Sequence, residues 1–98
     1  MSFVSIYTIY MRFQFDPQKA NTNRKKHKVA FPDAEGVFYD ELAIHIEDYD
    51  SEEESRFIAI GMGSTGQILT VIYTYRGEEI RLISARRATG KEVKYYAR

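Results

Sequence analysis

The sequence contains no cysteine, so disulfide bonds and thiolate metal sites are excluded and a reducing compartment, the cytoplasm, fits it best. No apolar run approaches the roughly 18 residues of a membrane-spanning helix, which predicts a soluble protein with no membrane partner. The first ten residues are apolar but lack the basic segment and the small-residue cleavage site of a secretory signal. With 98 residues, 44% of them apolar, we expect one domain with one core.

The chain also lacks net charge, because 14 Lys and Arg balance 14 Asp and Glu, but the two signs are segregated. Residues 18–28 hold five cations and no acid, whereas residues 33–54 hold ten acids and neither Lys nor Arg. From residue 76 onward, seven cations stand against three acids. If the two basic segments meet in the fold, they form a cationic patch able to hold a polyanion.

The first half of the chain has the start signals of two helices. Asp-Pro at residues 16–17 is typical of an N-cap followed by the first helical position, which predicts a polar helix ending near Lys26. Residues 12–15 alternate in polarity and predict a short strand before it. A second short helix is expected from Pro32, because apolar residues recur at helical spacing over residues 34–38.

The second half has the period of two that is typical of half-buried strands. Alternating residues predict one strand over residues 42–47. Three further runs are of strand type: residues 56–62, 67–75 and 80–86. Short Gly-containing connections predict antiparallel hairpins between them, and the capping-box pair Thr89 and Glu92 predicts a final helix. The fold class is therefore α+β, with an N-terminal strand, two short helices, an antiparallel β-meander of three to four strands and a C-terminal helix.

Several residues are candidates for chemistry, each with a structural alternative. His27, among cations, can act as a general base or acid near neutral pH, or it can be a helix-terminal residue that interacts with the dipole. If strand alternation persists, Arg86 faces one side of the sheet while Arg81 and Arg87 face the other. Judged from local pattern alone, such arginines are more often surface charges. His45 is interpreted as structural or simply as a surface residue.

Two further segments do not have the pattern of a ligand site. The acidic segment at residues 47–54 lacks the glycine and the distal glutamate of an EF-hand loop. The glycine-rich segment at residues 61–66 lies between strands and lacks the Lys-Ser/Thr pair of a phosphate loop, which indicates a hairpin turn. We therefore expect neither a metal nor a cofactor.

Three motifs occur in order along the chain. The first is Phe15-Asp16-Pro17, Lys19-Ala20, Asn23, Lys26-His27 and Val29-x-Phe31. The second is Arg56 with Ile58-Ala59-Ile60-Gly61. The third is Tyr73-Thr74, Arg81-Leu82-Ile83-Ser84-Ala85-Arg86-Arg87-Ala88 and Glu92. Together they resemble the BrnT family of bacterial toxins, over about residues 11–96.

The chain departs from that family at three positions and at its start. Phe15 stands where the family usually has Trp, Lys28 where it has Gly, and Tyr75 where a polar residue is common. Residues 1–10 have no counterpart, so they are either an N-terminal extension that adds a strand or an artefact upstream of a natural start at Met11. Residues 11–98 are interpreted as a single BrnT-like domain.

The resemblance implies a RelE-like α+β fold and a metal-independent endoribonuclease toxin that cleaves RNA and inhibits translation. It also implies a hetero-oligomer with a cognate BrnA-like antitoxin, which has a ribbon-helix-helix DNA-binding region and carries the complex to operator DNA. His27 is then the candidate for proton transfer, and Arg86 with Arg81 or Arg87 for clamping phosphate. The residues expected to bind RNA are Lys19, Lys25, Lys26 and Arg56. The alternative is a noncatalytic module that binds RNA or protein, including a degenerate toxin that binds only its antitoxin.

Overall fold

The computed structural model describes residues 11–50 and 55–98, so the expectations for residues 1–10 and for part of the acidic segment lie outside it. These ranges contain three α-helices and five strands. In chain order they are β1 (Phe13–Gln14), α1 (Pro17–His27), α2 (Phe31–Glu35) with a 3-10 helix (Gly36–Tyr39), β2 (Ile44–Asp48), β3 (Arg56–Met62), β4 (Ile68–Arg76), β5 (Glu79–Arg87) and α3 (Gly90–Ala97). The predicted α+β class and the order of its elements are confirmed.

The five strands form one mixed sheet in the order β1-β5-β4-β3-β2. Strands β2 to β5 are an antiparallel meander, and the pairings of β3 with β4 and of β4 with β5 confirm the hairpins that their short connections predict. Strand β1 forms the edge of the sheet opposite β2 and pairs in parallel with the beginning of β5. There the Ile80 N–H donates to the Arg12 carbonyl over 2.8 Å. Because β1 has two residues, no strand among the described residues lies beside the later part of β5 on that edge.

The core lies between one face of the sheet and the segment of α2 with its 3-10 helix. This face of the sheet, here called the core face, is buried because apolar side chains from both layers pack together there and are removed from contact with water. Its buried members are Val29, Phe31, Ala34, Val37, Ala59, Leu69, Val71, Tyr73, Ile80, Leu82 and Ala85. The edge strand β2 is less buried than its alternation predicts, since Ile46 is 42% exposed and Leu42 lies outside the strand.

A β-bulge in β5 decides which of its side chains share a face. Ile72 pairs with Ser84 but Tyr73 pairs with Leu82, so Ile83 is an extra residue without a partner on β4. The bulge puts Arg81, Ser84 and Arg86 on the face opposite the core. The prediction that Arg81 points away from Arg86 is therefore wrong, because simple alternation does not continue through the extra residue. Arg87 does face the other side, opposite Leu69.

The C-terminal helix packs on the face of the sheet that carries Arg81 and Arg86, here called the α3 face. Thr89 and Glu92 form the predicted capping box, in which the Thr89 hydroxyl accepts from the Glu92 N–H and the Glu92 carboxylate accepts from the Thr89 N–H. Glu92 also accepts from the Thr70 hydroxyl on β4, which attaches the helix to the sheet. Among the described residues, no helix has both the length and the apolar composition needed to cross a membrane.

Candidate functional site

Helix α1 begins at the predicted cap, where the Asp16 carboxylate accepts from the Gln18 N–H over 2.9 Å. It then lies along this edge of β5, to which Asn23 attaches it. The Asn23 amide donates to the Ala85 carbonyl and accepts from the Ala85 N–H, both over 2.9 Å, and also donates to the Val29 carbonyl over 3.0 Å. Asn23 is 5% exposed, so these hydrogen bonds are shielded from water. The amide thus pairs the N–H and C=O groups of Ala85 as a neighbouring strand would.

A cavity of about 450 Å³ lies between α1 and this edge of β5. Its lining residues are Asp16, Gln18, Lys19, Thr22, Asn23, Lys26, His27, Ile83 and Ser84. His27 follows Asn23 by one helical turn, so the anchored amide fixes the half-buried imidazole on the cavity side. The structure therefore brings together three predicted residues, Lys19, Lys26 and His27, around one space.

The arginines of β5 stand outside the lining of this cavity but next to it. Ser84 lines the cavity and lies between Arg81 and Arg86 on the α3 face, so it connects the cavity with these two arginines. Arg81 is half-buried and makes no ion pair with the described residues. Arg87 is exposed on the core-face side, and Arg56 lies on the α3 face two strands away at the start of β3.

Arg86 is held by the C-terminal helix. Its Nη1 and Nη2 donate to the two carboxylate oxygens of Glu92 over 2.8 and 3.0 Å, a bidentate pair. The bonds from Arg86, together with those from Thr89 and Thr70, lower the pKa of Glu92 to about 2, and the bonds to Glu92 raise the pKa of Arg86. In this arrangement the guanidinium fork that would bind a phosphate is occupied by a carboxylate.

Two residues of the site are not among those expected from the sequence. Asn23 stands in the first motif without a role, although an asparagine inside a helix is a weak sign that its side chain bonds elsewhere. Ser84 gives no local signal, because its place depends on the bulge and on where α1 lies.

His45 and the glycine-rich segment both lie outside the candidate site and have structural positions in the fold. His45 Nδ1 is 2.9 Å from the Tyr73 hydroxyl, and burial of the imidazole lowers the pKa of His45. The segment at residues 63–66 is the turn between β3 and β4, with Gly66 at a φ of 87°. Within residues 11–50 and 55–98, no cluster of three His, Asp or Glu is arranged to hold a metal ion.

Comparison with known proteins shows the family to which this chain belongs. The family model described as "Ribonuclease toxin, BrnT, of type II toxin-antitoxin system" matches residues 15–92, which cover α1, the cavity and the capping box. The chain belongs to this BrnT family, as the three motifs predict.

One similar solved structure is the Brucella abortus ribonuclease toxin BrnT, determined at 1.1 Å resolution. It is 29% identical to this chain, with a TM-score of 0.63 over 82% of this chain and 99% of that one. Among curated proteins there is no match.

Proposed function

We propose that this chain is an endoribonuclease that cuts RNA at the cavity between α1 and β5. The observation that supports this most is the meeting at one cavity of His27 and Lys26 with Ser84. Ser84 is flanked along the α3 face by Arg81 and Arg86. A group that transfers protons beside several cations is what cleavage of a phosphodiester requires.

The reaction that suits these residues uses the RNA's own 2′-hydroxyl as the nucleophile. The 2′-oxygen bonds to the adjacent phosphorus as the bond from phosphorus to the 5′-oxygen breaks, which leaves a 2′,3′-cyclic phosphate and a 5′-hydroxyl. One proton leaves the 2′-oxygen and one joins the 5′-oxygen, and His27 is the proposed carrier for one of these transfers. Lys26 and Arg81 stabilise the additional negative charge on the phosphorane, so the proposed reaction is independent of a metal ion.

The cationic side chains have different proposed roles. Arg81 is the first candidate to clamp phosphate, because its guanidinium forms no ion pair with the described residues. Arg86 joins it only when Glu92 releases the fork, and until then Arg86 holds α3 on the sheet. Lys19 lines the cavity and binds the RNA backbone there, while Arg87 contacts RNA further along. Lys25 and Arg56 are likewise assigned to the backbone.

The biological part of the proposal follows from membership of the family. We expect the chain to inhibit translation in the cytoplasm by cutting RNA, and to be neutralised by a cognate BrnA-like antitoxin. That antitoxin would carry a ribbon-helix-helix region and bring the complex to operator DNA. Expression of the chain should arrest growth, and co-expression of the small protein encoded beside it should restore growth.

The proposed reaction is tested with the purified chain, a defined RNA and a metal chelator in excess. We expect cleavage that leaves 2′,3′-cyclic phosphate ends, and no cleavage of the same strand with 2′-deoxyribose at the cut position. Cleavage of the deoxy strand would contradict attack by the 2′-hydroxyl, and loss of activity in chelator would contradict metal independence. If the wild-type chain binds RNA and cuts none, the alternative of a noncatalytic binding module is correct.

A further inference from the structure

Helix α1 has a second groove on the flank away from the cavity. The groove measures about 490 Å³ and is lined by Asn21, Arg24, Lys25 and Lys28. All four side chains are exposed, and the three cations make no ion pair with the described residues. The helix itself supplies no acid over residues 17–27 to compensate them.

The groove and the cavity are separate sites on one helix. At about 100° of rotation per residue, the residues that line them centre on directions roughly 160° apart around the helix axis. Lys25, between those directions, lies near the solvent-facing crest. A strand that reaches both sites must therefore pass over the crest of a helix about 10–12 Å wide, which needs several nucleotides.

Two features of this groove are unfavourable for folding. Lys28 has φ 61° and ψ 28°, and within residues 11–50 and 55–98 it is the one non-glycine residue with a positive φ. This left-handed conformation favours glycine, because a Cβ crowds the backbone there. Arg24, Lys25 and Lys28 are also like charges gathered around one groove, where they repel one another. Backbone strain and charge repulsion of this kind are often retained at functional sites, so their presence in this groove indicates that its cations bind a ligand.

The lining chemistry indicates what that ligand is. Protein interfaces have an apolar centre that excludes water, whereas this groove offers three cations and one amide. Phosphate oxygens need only such groups, and arginine can bind them through two parallel N–H bonds. The groove therefore suits a nucleic-acid backbone better than an acidic protein such as an antitoxin.

We propose that this groove is a second phosphate-binding subsite, which holds the RNA backbone several nucleotides away from the phosphate that is cut. The proposal rests on the proposed ribonuclease function and deepens it, because it assigns Arg24 and Lys28 to substrate binding and makes affinity depend on substrate length. The subsite acts on binding and leaves the chemical step unchanged, since neither residue lines the cavity.

The test compares R24Q/K28Q with K91Q/K94Q, a control that removes the same charge from exposed positions on α3. The probes are fluorescein-labelled 2′-O-methyl oligoribonucleotides of about 4 and about 16 nucleotides, and their binding is measured by anisotropy over a series of salt concentrations. The 2′-O-methyl group removes the nucleophile, so binding is measured independently of cleavage.

In R24Q/K28Q we expect the affinity advantage of the longer probe over the shorter one to shrink by about tenfold. The slope of log affinity against log salt for the longer probe should become shallower by about 1.4, at about 0.7 per lost phosphate contact. The control should keep both values. An unchanged advantage and slope, or an equal effect of the control, would overturn the subsite.

Two further results separate the hypotheses. If R24Q/K28Q weakens the antitoxin complex and leaves RNA binding unchanged, the groove belongs to a protein interface and the proposal is wrong. If the wild-type chain shows the expected length and salt dependence but cuts no RNA, the subsite stands and the proposed catalytic function is wrong.

Discussion

Replacing Glu92 by Gln should destabilise the protein in a way that depends on pH. The carboxylate binds Arg86 through both oxygens and also accepts from Thr89 and Thr70, and these bonds lower its pKa from 4.5 to about 2. At 1.36 kcal/mol per pKa unit, that difference has an upper bound of about 3.4 kcal/mol. The side chains of the pair are 22% and 39% exposed, so screening by water reduces the expected loss to about 1–2 kcal/mol.

The sign of the pH dependence follows from the direction of the pKa change. Because folding lowers the pKa of Glu92, its contribution is fully present above about pH 4.5 and is lost as pH falls toward 2. The free energy of unfolding of wild type and E92Q is measured by urea denaturation between pH 7 and pH 2.5. We expect the two curves to converge at the acidic end, and a control E78Q, in the turn after β4, to follow wild type throughout. A difference that stays constant with pH, or is below about 0.5 kcal/mol at pH 7, would show that the ionised Glu92 carboxylate does not stabilise the fold through these bonds.

Three further substitutions test the local structure, each by urea or thermal unfolding. N23A removes three hydrogen bonds and leaves the Ala85 edge groups unpaired, so we expect a loss of about 2–3 kcal/mol; an effect under about 1 kcal/mol would mean that water replaces the amide. K28G should stabilise by about 0.5–1 kcal/mol, because relief of the left-handed conformation exceeds the added entropy of the unfolded chain; destabilisation would contradict this. Y73F should cost about 1 kcal/mol, since it removes the hydroxyl bonded to His45, and a neutral result would show that this bond contributes little.

The elements of this fold with local signals could be predicted from the sequence. Asp16 and Thr89 begin helices because their side-chain oxygens accept from the first backbone N–H groups, and both caps depend on neighbours within three residues. The meander of β3, β4 and β5 also follows from short turns and alternation. These features are set by residues close in sequence, and that is why pattern alone locates them.

The parts that pattern does not locate depend on contacts between distant segments. The bulge at Ile83 moves Arg81 to the face of Arg86, and no local signal marks that extra residue. The parallel pairing of β1 with β5 and the attachment of Asn23 to Ala85, 62 residues away, both arise from the open edge of one strand. Lys19, Lys26 and His27 could be predicted as a group in sequence, but their position beside Ser84 could not.

His27, in the cavity between α1 and β5, is proposed to carry out proton transfer in RNA cleavage. The most direct measurement is the single-turnover cleavage rate of a defined RNA, with enzyme in excess, for wild type, H27Q and the control H45Q. His45 is the chain's second histidine and lies outside the cavity. We predict that H27Q cuts at least about 100-fold more slowly than wild type while H45Q stays within about threefold. An H27Q rate equal to that of wild type, with the protein folded, would contradict the role proposed for His27.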